Sequence, residues 1–284
     1  MIREIVTHPG GAHKDDFMAC ALLLAKNSVP LLRRDPTEDD LASPEVCVVD
    51  VGGEWDESKM NFDHHQFPRD SEPLCALSLV LKHYELYDDA QKFCDWLEVA
   101  EWFDTRGPVE TGKWLGIERE TLAKLNSPVD ITLLRRFANS AEHRPGEPVW
   151  EVMKMVGEDL HRYLTSMKER LALVEKHCEW WTLESGKKML FLARGVQEID
   201  EASSAMGRYV MDHEFKEDCV GMIYPDRRGP GYGLSRYNDD KRLEYTRVAE
   251  EIDVHFAHAK GFIAKTSATD PARLKSLVEK AWIG

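Results

Sequence analysis

The chain has 284 residues, 43% hydrophobic and 31% charged, with 37 Lys+Arg against 51 Asp+Glu for a net charge of −14. This is soluble globular composition, near the length at which one core gives way to two. The acid excess argues against broad binding to duplex nucleic acid or anionic membrane, because phosphate neutralisation needs clustered Lys and Arg, and it leaves room for a small anionic substrate held by metal. With no window of about 18 uncharged apolar residues, and neither a signal-peptide core nor a transit pattern at Met1–Thr7, the expected location is cytoplasmic.

In chain order, Arg3 to Thr7 is a short β-rich run ending at a glycine-containing turn, and Phe17 to Lys26 reads as a helix rich in Ala, Leu and Met. Val29–Leu32 and Val46–Val51 are further short apolar runs. Helical stretches follow at Leu74–Tyr87 and Ala90–Phe103. Strands alternating with helices predict a parallel, doubly wound sheet, whose ligand site lies beyond the carboxyl ends of its strands. The polar stretch Asn139–Pro148, with two prolines and a glycine, reads as a linker and sets a domain boundary near 145. Met153, Val156, Leu160, Leu164, Met167, Leu171 and Val174 recur at spacings of three and four, which marks one long linking helix over 146–182. From 183 onward, strands at Met189–Ala193, Cys219–Tyr224 and Tyr232–Arg236, with helices at about 201–212 and 271–282, form a smaller α/β unit. The six cysteines, Cys20, Cys47, Cys75, Cys94, Cys178 and Cys219, contain no Cys-x-x-Cys pair and read as reduced, mostly buried thiols.

Three constellations carry chemistry. The first loop, Thr7-His8-Pro9-Gly10-Gly11-Ala12-His13-Lys14-Asp15-Asp16, sets two imidazoles and two carboxylates between a strand and a helix, a density of ligand types that fits a metal site. Asp15 or Asp16 serves equally well as a cap for the following helix. Asp50, in Val48-Val49-Asp50-Val51-Gly52-Gly53, ends an apolar strand and points into the same crest of loops, although Asp-x-Gly-Gly is also good turn chemistry. Asp63-His64-His65 follows a short apolar step, and adjacent residues on an extended chain face opposite ways, so the two histidines do different jobs. Asp104 follows a mostly apolar helix, where a cap or turn role is equally available. Together His8, His13, Asp15, Asp50, His64 and Asp104 offer about the ligand number that two neighbouring divalent ions require, with one carboxylate bridging and a bridging water acidified into a hydroxide nucleophile.

This arrangement resembles the DHH phosphoesterase superfamily, named for the triplet seen here as Asp63-His64-His65. Within it, the chain is most similar to the melanocyte-proliferating-gene family of metal-dependent hydrolases or exonucleases. The motifs are the Thr7–Asp16 loop, Val49-Asp50-Val51-Gly52-Gly53, Phe62-Asp63-His64-His65-Gln66 and a late His258-Ala259-Lys260-Gly261-Phe262-Ile263. The resemblance implies an N-terminal α/β domain carrying the metals and a C-terminal domain holding substrate. It makes His8, His13 and Asp15 first-loop ligands, Asp50 the bridging carboxylate, His64 a ligand of the second ion and Asp104 the last ligand. His65 then contacts the phosphate, His258, Lys260 and Gly261 belong to the substrate grip, and Arg236 is an extra candidate for an anion contact. Three positions depart from the family pattern. His13 stands where Asp is usual, tilting the site toward manganese or zinc over magnesium; Ala264 stands where a glycine is expected; and Thr105-Arg106-Gly107 follows Asp104 in place of Asn-Gly.

The interval 35–63 holds ten acids against one base, Lys59. Rimming a cleft, it would repel long polyanions and favour a mononucleotide or a short oligonucleotide end. The resulting reading is a two-metal phosphoesterase, a 3′–5′ exonuclease using manganese on short single-stranded RNA or DNA. Two other classes compete with it. His13-Lys14-Asp15-Asp16 is one residue away from the His-Pro-Asp-Asp loop of zinc-dependent sugar deacetylases, with His255 and His258 as a distal pair, but that reading leaves Asp50 and Asp63-His64-His65 without work. A non-catalytic metal- or nucleotide-binding module is the other.

Overall fold

In the computed structural model, which describes residues 1–195 and 202–284, the β-branched runs near the N-terminus line up as a mainly parallel sheet. The elements in order are β1 (Glu4–Thr7), α1 (Lys14–Lys26), β2 (Leu31–Arg33), α2 (Glu38–Ala42), β3 (Val46–Val49), β4 (Trp55–Asp56), β5 (Asn61–Phe62), α3 (Ala76–His83), α4 (Tyr87–Phe93), α5 (Asp95–Leu115), α6 (Arg119–Ala123), α7 (Pro128–Ala138), β6 (Glu142–His143) and α8 (Pro148–His177). The sheet order is β4-β5-β3-β1-β2-β6; β5, β3, β1 and β2 are parallel, and the two edge strands run antiparallel. Ile5, Val6 and every residue of β3 are fully buried. Both faces of the sheet are covered, which is why these strands read as unbroken apolar runs and not as alternating ones.

Several segments differ from the sequence reading: the helix expected over Leu74–Tyr87 stops at His83, and the one expected over Ala90–Phe103 is divided at Cys94 between α4 and α5. Within the expected linker, Glu142 and His143 form β6, paired with Leu32 and Leu31 of β2, and His143 is buried with Nε2 3.0 Å from the Phe137 carbonyl. The outer edge of β2 needs a partner, and a two-residue strand supplies one without leaving a compositional trace. Cys178–Thr182, expected as the end of the long helix, is a strand, β7, at the edge of the second sheet. Its Trp180-Trp181-Thr182 run suits a half-buried pleated surface better than a helix.

The chain divides into two units, Met1–Thr165 and Ser166–Gly284, and the division falls within α8. The second unit continues with β8 (Lys188–Leu192), α9 (Ala202–Met211), β9 (Cys219–Pro225), β10 (Tyr232–Arg236), β11 (Val254–Ala257), β12 (Ile263–Thr266) and α10 (Pro271–Ala281). Residue 201 of the helix expected over 201–212 lies outside the described residues. This sheet has the order β11-β12-β10-β9-β8-β7, with β8–β9 its parallel pair and the other pairings antiparallel. Along β8, Met189 and Phe191 join the core under α10 with Leu274, Leu277 and Val278, whereas Leu190 and Leu192 join the core under α9 with Ala205, Met206 and Val210. The two-residue period of a strand thus builds a separate core on each face. All six cysteines are free thiols, five of them buried. Among the described residues, no helix is long and apolar enough to cross a membrane.

Candidate metal centre

The first loop leaves β1 at Thr7 and enters α1, and here the two adjacent acids separate in function. Asp16 is the cap: its Oδ1 accepts from the backbone N–H of His13 (2.9 Å) and of Phe17 (2.6 Å). Asp15 caps nothing. It is buried, and neither of its carboxylate oxygens has a hydrogen-bond partner. Burial, reinforced by the charges of Asp50, Asp104 and Asp16, pushes its acidity well above the ordinary carboxylate range.

His8 is held by its other nitrogen. Nδ1 lies 2.9 Å from the Pro9 carbonyl, which can only accept, so Nδ1 carries a proton and Nε2 is the free coordinating edge. That Nε2 lies 3.0 Å from Asp16 Oδ2 and 3.4 Å from Asp50 Oδ2, with no hydrogen bond of its own. A lone pair facing two carboxylates requires a cation or a proton between them. The contact with Asp16 accordingly raises the basicity of His8 against the opposing effect of burial.

Asp50 follows β3 with φ +59°, a left-handed conformation that Asp tolerates better than most residues and that turns its carboxylate inward, where it is 3% exposed. Gly52 completes the turn at φ +104°, a conformation that requires glycine, and it packs closely on the end of the Leu41 side chain. Asp63, just after β5, fastens this turn from below. Its Oδ2 accepts from the Gly53 N–H (2.6 Å), and its Oδ1 accepts from the His65 backbone (3.1 Å) and from His65 Nδ1 (2.7 Å). Burial opposes ionisation of Asp63, but these donors hold it below the usual range. His64 and His65 do not face opposite ways: the chain turns at His65, their ring centroids lie 4.5 Å apart and both approach Asp50, and the two differ in burial. The His64 ring is buried with Nε2 3.1 Å from Asp50 Oδ1 and 2.9 Å from Asp104 Oδ2, whereas the His65 side chain is 64% exposed. Although burial lowers its basicity, Asp104 and Asp50 lift His64 to about 10.

Asp104 is not the residue after a helix. It sits inside α5, in the last turn before a break at Gly107 (φ +78°), beyond which Pro108 starts a second segment. His13 Nδ1 lies 3.4 Å from its Oδ1, and its Oδ2 has no hydrogen bond despite the nearby His64. Burial works against its ionisation, and His13 and His64 more than compensate, holding it well below the carboxylate range.

Three overlapping groups can each hold an ion: His8, His13 and Asp50; Asp15, Asp50, His64 and Asp104; and Asp50, Asp63, His64 and His65. Asp50 belongs to all three. The donor set is carboxylate and imidazole, and the buried oxygens of Asp15, Asp16 and Asp104 lack partners, so the residues present fit divalent metal. Sequence reasoning passed over Asp63 as the support of His65, and it passed over Arg33, a buried guanidinium at the end of β2. Basic side chains directly after an apolar strand, at the crest that carries the acids, were the available signal.

Half of the acidic run 35–63 is paired or buried within the unit. Asp40 pairs with Arg34 (2.6 Å), Glu54 and Asp56 lie 2.8 and 3.5 Å from Lys59, and Asp50 and Asp63 are buried.

The remaining candidates lie in the second unit, around a cavity of about 450 Å³ lined by Arg236, Lys260 and Phe262 among others. His258 and Gly261 form the β11–β12 turn, where the Gly261 N–H donates to the His258 carbonyl (2.7 Å). Gly261 has φ +69°, and a Cβ would strike the Glu244 carboxylate. Arg236 is a clamp. Nε donates to the Leu243 carbonyl (2.5 Å), Nη1 to Asp239 (3.0 Å) and Nη2 to Glu244 (3.1 Å), so each of its nitrogens has a partner within the protein. His255 faces Asp226 at 3.9 Å.

Comparison with known proteins bears on the first of these regions. The family model MYG1_exonuc, described as an uncharacterised protein family (UPF0160), matches residues 4–87. The chain is 44% identical over 67 residues to the MYG1 exonuclease of Homo sapiens, covering 22% of this chain and 17% of that protein. It is 41% identical over 68 residues to the MYG1 protein of Chlamydia trachomatis, covering 22% of each. The chain thus matches less than a quarter of the length of these relatives. A solved structure described as the DHH domain of a member of the s1p family of ribosomal proteins aligns over 98% of this chain and 85% of its own, with 14% identity and a TM-score of 0.34. The segment matched by the family model contains the His8–Asp16 loop, the Asp50 turn and the Asp63-His64-His65 triplet, so the likeness to MYG1 proteins lies in the part of the chain that carries the cluster.

Proposed function

We propose that the N-terminal centre binds two divalent ions that share Asp50, manganese before magnesium or zinc, and that the chain is a phosphoesterase acting as a 3′–5′ exonuclease on short or single-stranded nucleic acid. The observation that carries this reading is the convergence of unpartnered, buried donor atoms from Asp15, Asp16, Asp104 and His8 around the Asp50 turn. His8 and His13 and Asp50 would hold one ion; Asp15, Asp50, His64 and Asp104 would hold the other. Imidazole in the first loop favours manganese or zinc over magnesium. The name exonuclease carried by the human relative supports a nucleic-acid substrate.

When bound, such ions would lower the pKa of a coordinated water and neutralise phosphate oxygens. The chain's own residues do the positioning. Asp50 is fixed by its left-handed backbone, and His8 is fixed as the tautomer with Nε2 free. His65, with Nδ1 tied to Asp63 and its side chain 64% exposed, is the imidazole available to contact a phosphate oxygen. The buried Asp63 keeps that ring oriented and lies too deep to meet substrate.

The test is hydrolysis of bis-p-nitrophenyl phosphate and of 5′-labelled single-stranded RNA and DNA, with manganese and with chelator. Manganese-dependent shortening from the 3′ end is expected, with Asp50→Asn and His64→Ala each slower by on the order of a thousandfold. Undiminished turnover in either variant, or no cleavage of any phosphoester by the metal-loaded protein, would overturn the assignment.

A further inference from the structure

Arg33 ends β2, in register with Thr7 of β1, one residue before the ligand loop begins. Its side chain is 1% exposed. Burying a guanidinium is costly unless its donors are matched, and here the match is partial. Nη2 donates to the carbonyls of Gly10 (3.2 Å) and Gly11 (3.1 Å), the two residues midway between His8 and His13. Nη1 stands 3.8 Å from Asp16 Oδ2, and neither Nη1 nor Nε has a hydrogen-bond partner. The plane of the group rests on Phe137, 4.3 Å from the ring centroid, and Phe137 is in turn packed by Phe17 and by His143 of β6. A hydrophobic side chain of equal volume would satisfy that aromatic wall without the desolvation cost. The groups a hydrocarbon could not serve are the two loop carbonyls and the carboxylate of Asp16.

We propose that Arg33 is a positioning residue of the metal centre: it holds the loop between His8 and His13 in its ligating shape and places one buried positive charge behind the carboxylate cluster. The inference rests on the metal-binding reading above. Arg33 touches neither ion nor substrate; it acts through the Gly10–Gly11 backbone and through Asp16, whose Oδ2 faces His8 Nε2 at 3.0 Å. The segment between α7 and α8 gains a role from this arrangement, since His143 of β6 backs the ring on which the guanidinium lies.

A purely structural Arg33 and a positioning Arg33 differ in what a substitution changes. Arg33→Met removes both the charge and the donors; Arg33→Lys keeps the charge but loses the planar fork. Folding of each variant is checked by circular dichroism in chelator. Manganese affinity is then measured by titration with electron paramagnetic resonance detection, and the ligand field by the absorption spectrum of the cobalt-loaded protein. Arg33→Met is expected to bind manganese about tenfold to a hundredfold more weakly than wild type, the scale of losing an outer-shell support. Arg33→Lys is expected to lose less, and both cobalt spectra are expected to shift. Wild-type manganese affinity and an unchanged cobalt spectrum in folded Arg33→Met would overturn the proposal. Should Arg33→Met not fold, Arg33→Lys decides: weaker binding with a shifted spectrum supports it, and wild-type values for both refute it. A wild-type protein that binds no manganese would instead refute the metal reading itself.

Discussion

Two loop regions, one in each unit, gather charged side chains at the ends of strands, and they use them in opposite ways. Around the second unit's cavity each nitrogen of Arg236 donates one hydrogen bond, to the Leu243 carbonyl, Asp239 or Glu244, and Glu244 also accepts from the Thr246 N–H and hydroxyl. Around Asp50 in the first unit, both oxygens of Asp15, one of Asp16, one of Asp104 and Nε2 of His8 are buried without a hydrogen bond. Charge density is similar in kind at both places. What separates a candidate reaction centre from a scaffold is the kind of buried polar atom left unspent: carboxylate oxygens and an imidazole nitrogen around Asp50, hydroxyls of Ser235, Tyr237 and Tyr245 beside Arg236. Unspent carboxylates in a folded interior cost stability and persist where a ligand compensates them.

The contrast breaks most sharply at the pair Asp15 and Asp16. Asp15→Asn removes a buried carboxylate with no partner, so in chelator it should stabilise the chain by about 1–3 kcal/mol while abolishing manganese binding. Asp16→Asn disturbs a helix cap and should destabilise by about 1 kcal/mol under the same conditions. Urea unfolding of both variants with chelator measures the two signs, and destabilisation by Asp15→Asn would remove the distinction drawn here.

Acidity sharpens it next. His8, His13 and His64 are raised in the folded state, so the stability they contribute is complete below about pH 6.5 and is lost as pH rises through their raised values, for His64 about 10. Asp15 and Asp50 are raised as well, and their contribution also disappears as pH rises through the folded values. Asp63 and Asp104 are lowered, and what they contribute is lost only in acid, below the carboxylate range. The melting temperature of metal-free protein should therefore fall between pH 6 and pH 9, and manganese should flatten the decline by replacing protons among the ligands. A metal-free melting temperature that rises over this interval would contradict the electrostatics of the cluster.

The smallest effects belong to the second region. Arg236→Met should lower stability by about 1–3 kcal/mol through lost charged hydrogen bonds. Lys260→Ala, on an exposed turn, should change it by less than about 0.5 kcal/mol. Equal losses in urea unfolding would show that the clamp is not where the structure puts it.

Much of the first region was legible in the sequence because its ligands follow apolar strands directly. Val46–Val49 announces β3, and Asp50 after it could stand only at the crest. The opposite faces expected of His64 and His65 assumed extended backbone, and the turn at His65 brings the two rings side by side, 4.5 Å apart. What was hidden is what tertiary pairing decides. Glu142 and His143 look like linker because a two-residue edge strand is specified by the exposed edge of β2 and not by its own propensity. Asp15 and Asp16 are indistinguishable as letters; the backbone N–H groups of His13 and Phe17 select Asp16 as the cap and release Asp15. Arg236 invites an anion on paper, and only the fold shows Asp239 and Glu244 already there. Arg33 lay just past the end of an apolar run, where a solvated role is the ordinary one.

The central claim is that the Asp50 cluster is a binding site for divalent metal, and its most direct test is equilibrium titration of the chelator-treated protein with manganese, free ion being counted by electron paramagnetic resonance. Two ions bound per chain, with that binding lost in Asp50→Asn, is the predicted result. No bound manganese in the wild type, or equal binding in Asp50→Asn, would contradict it.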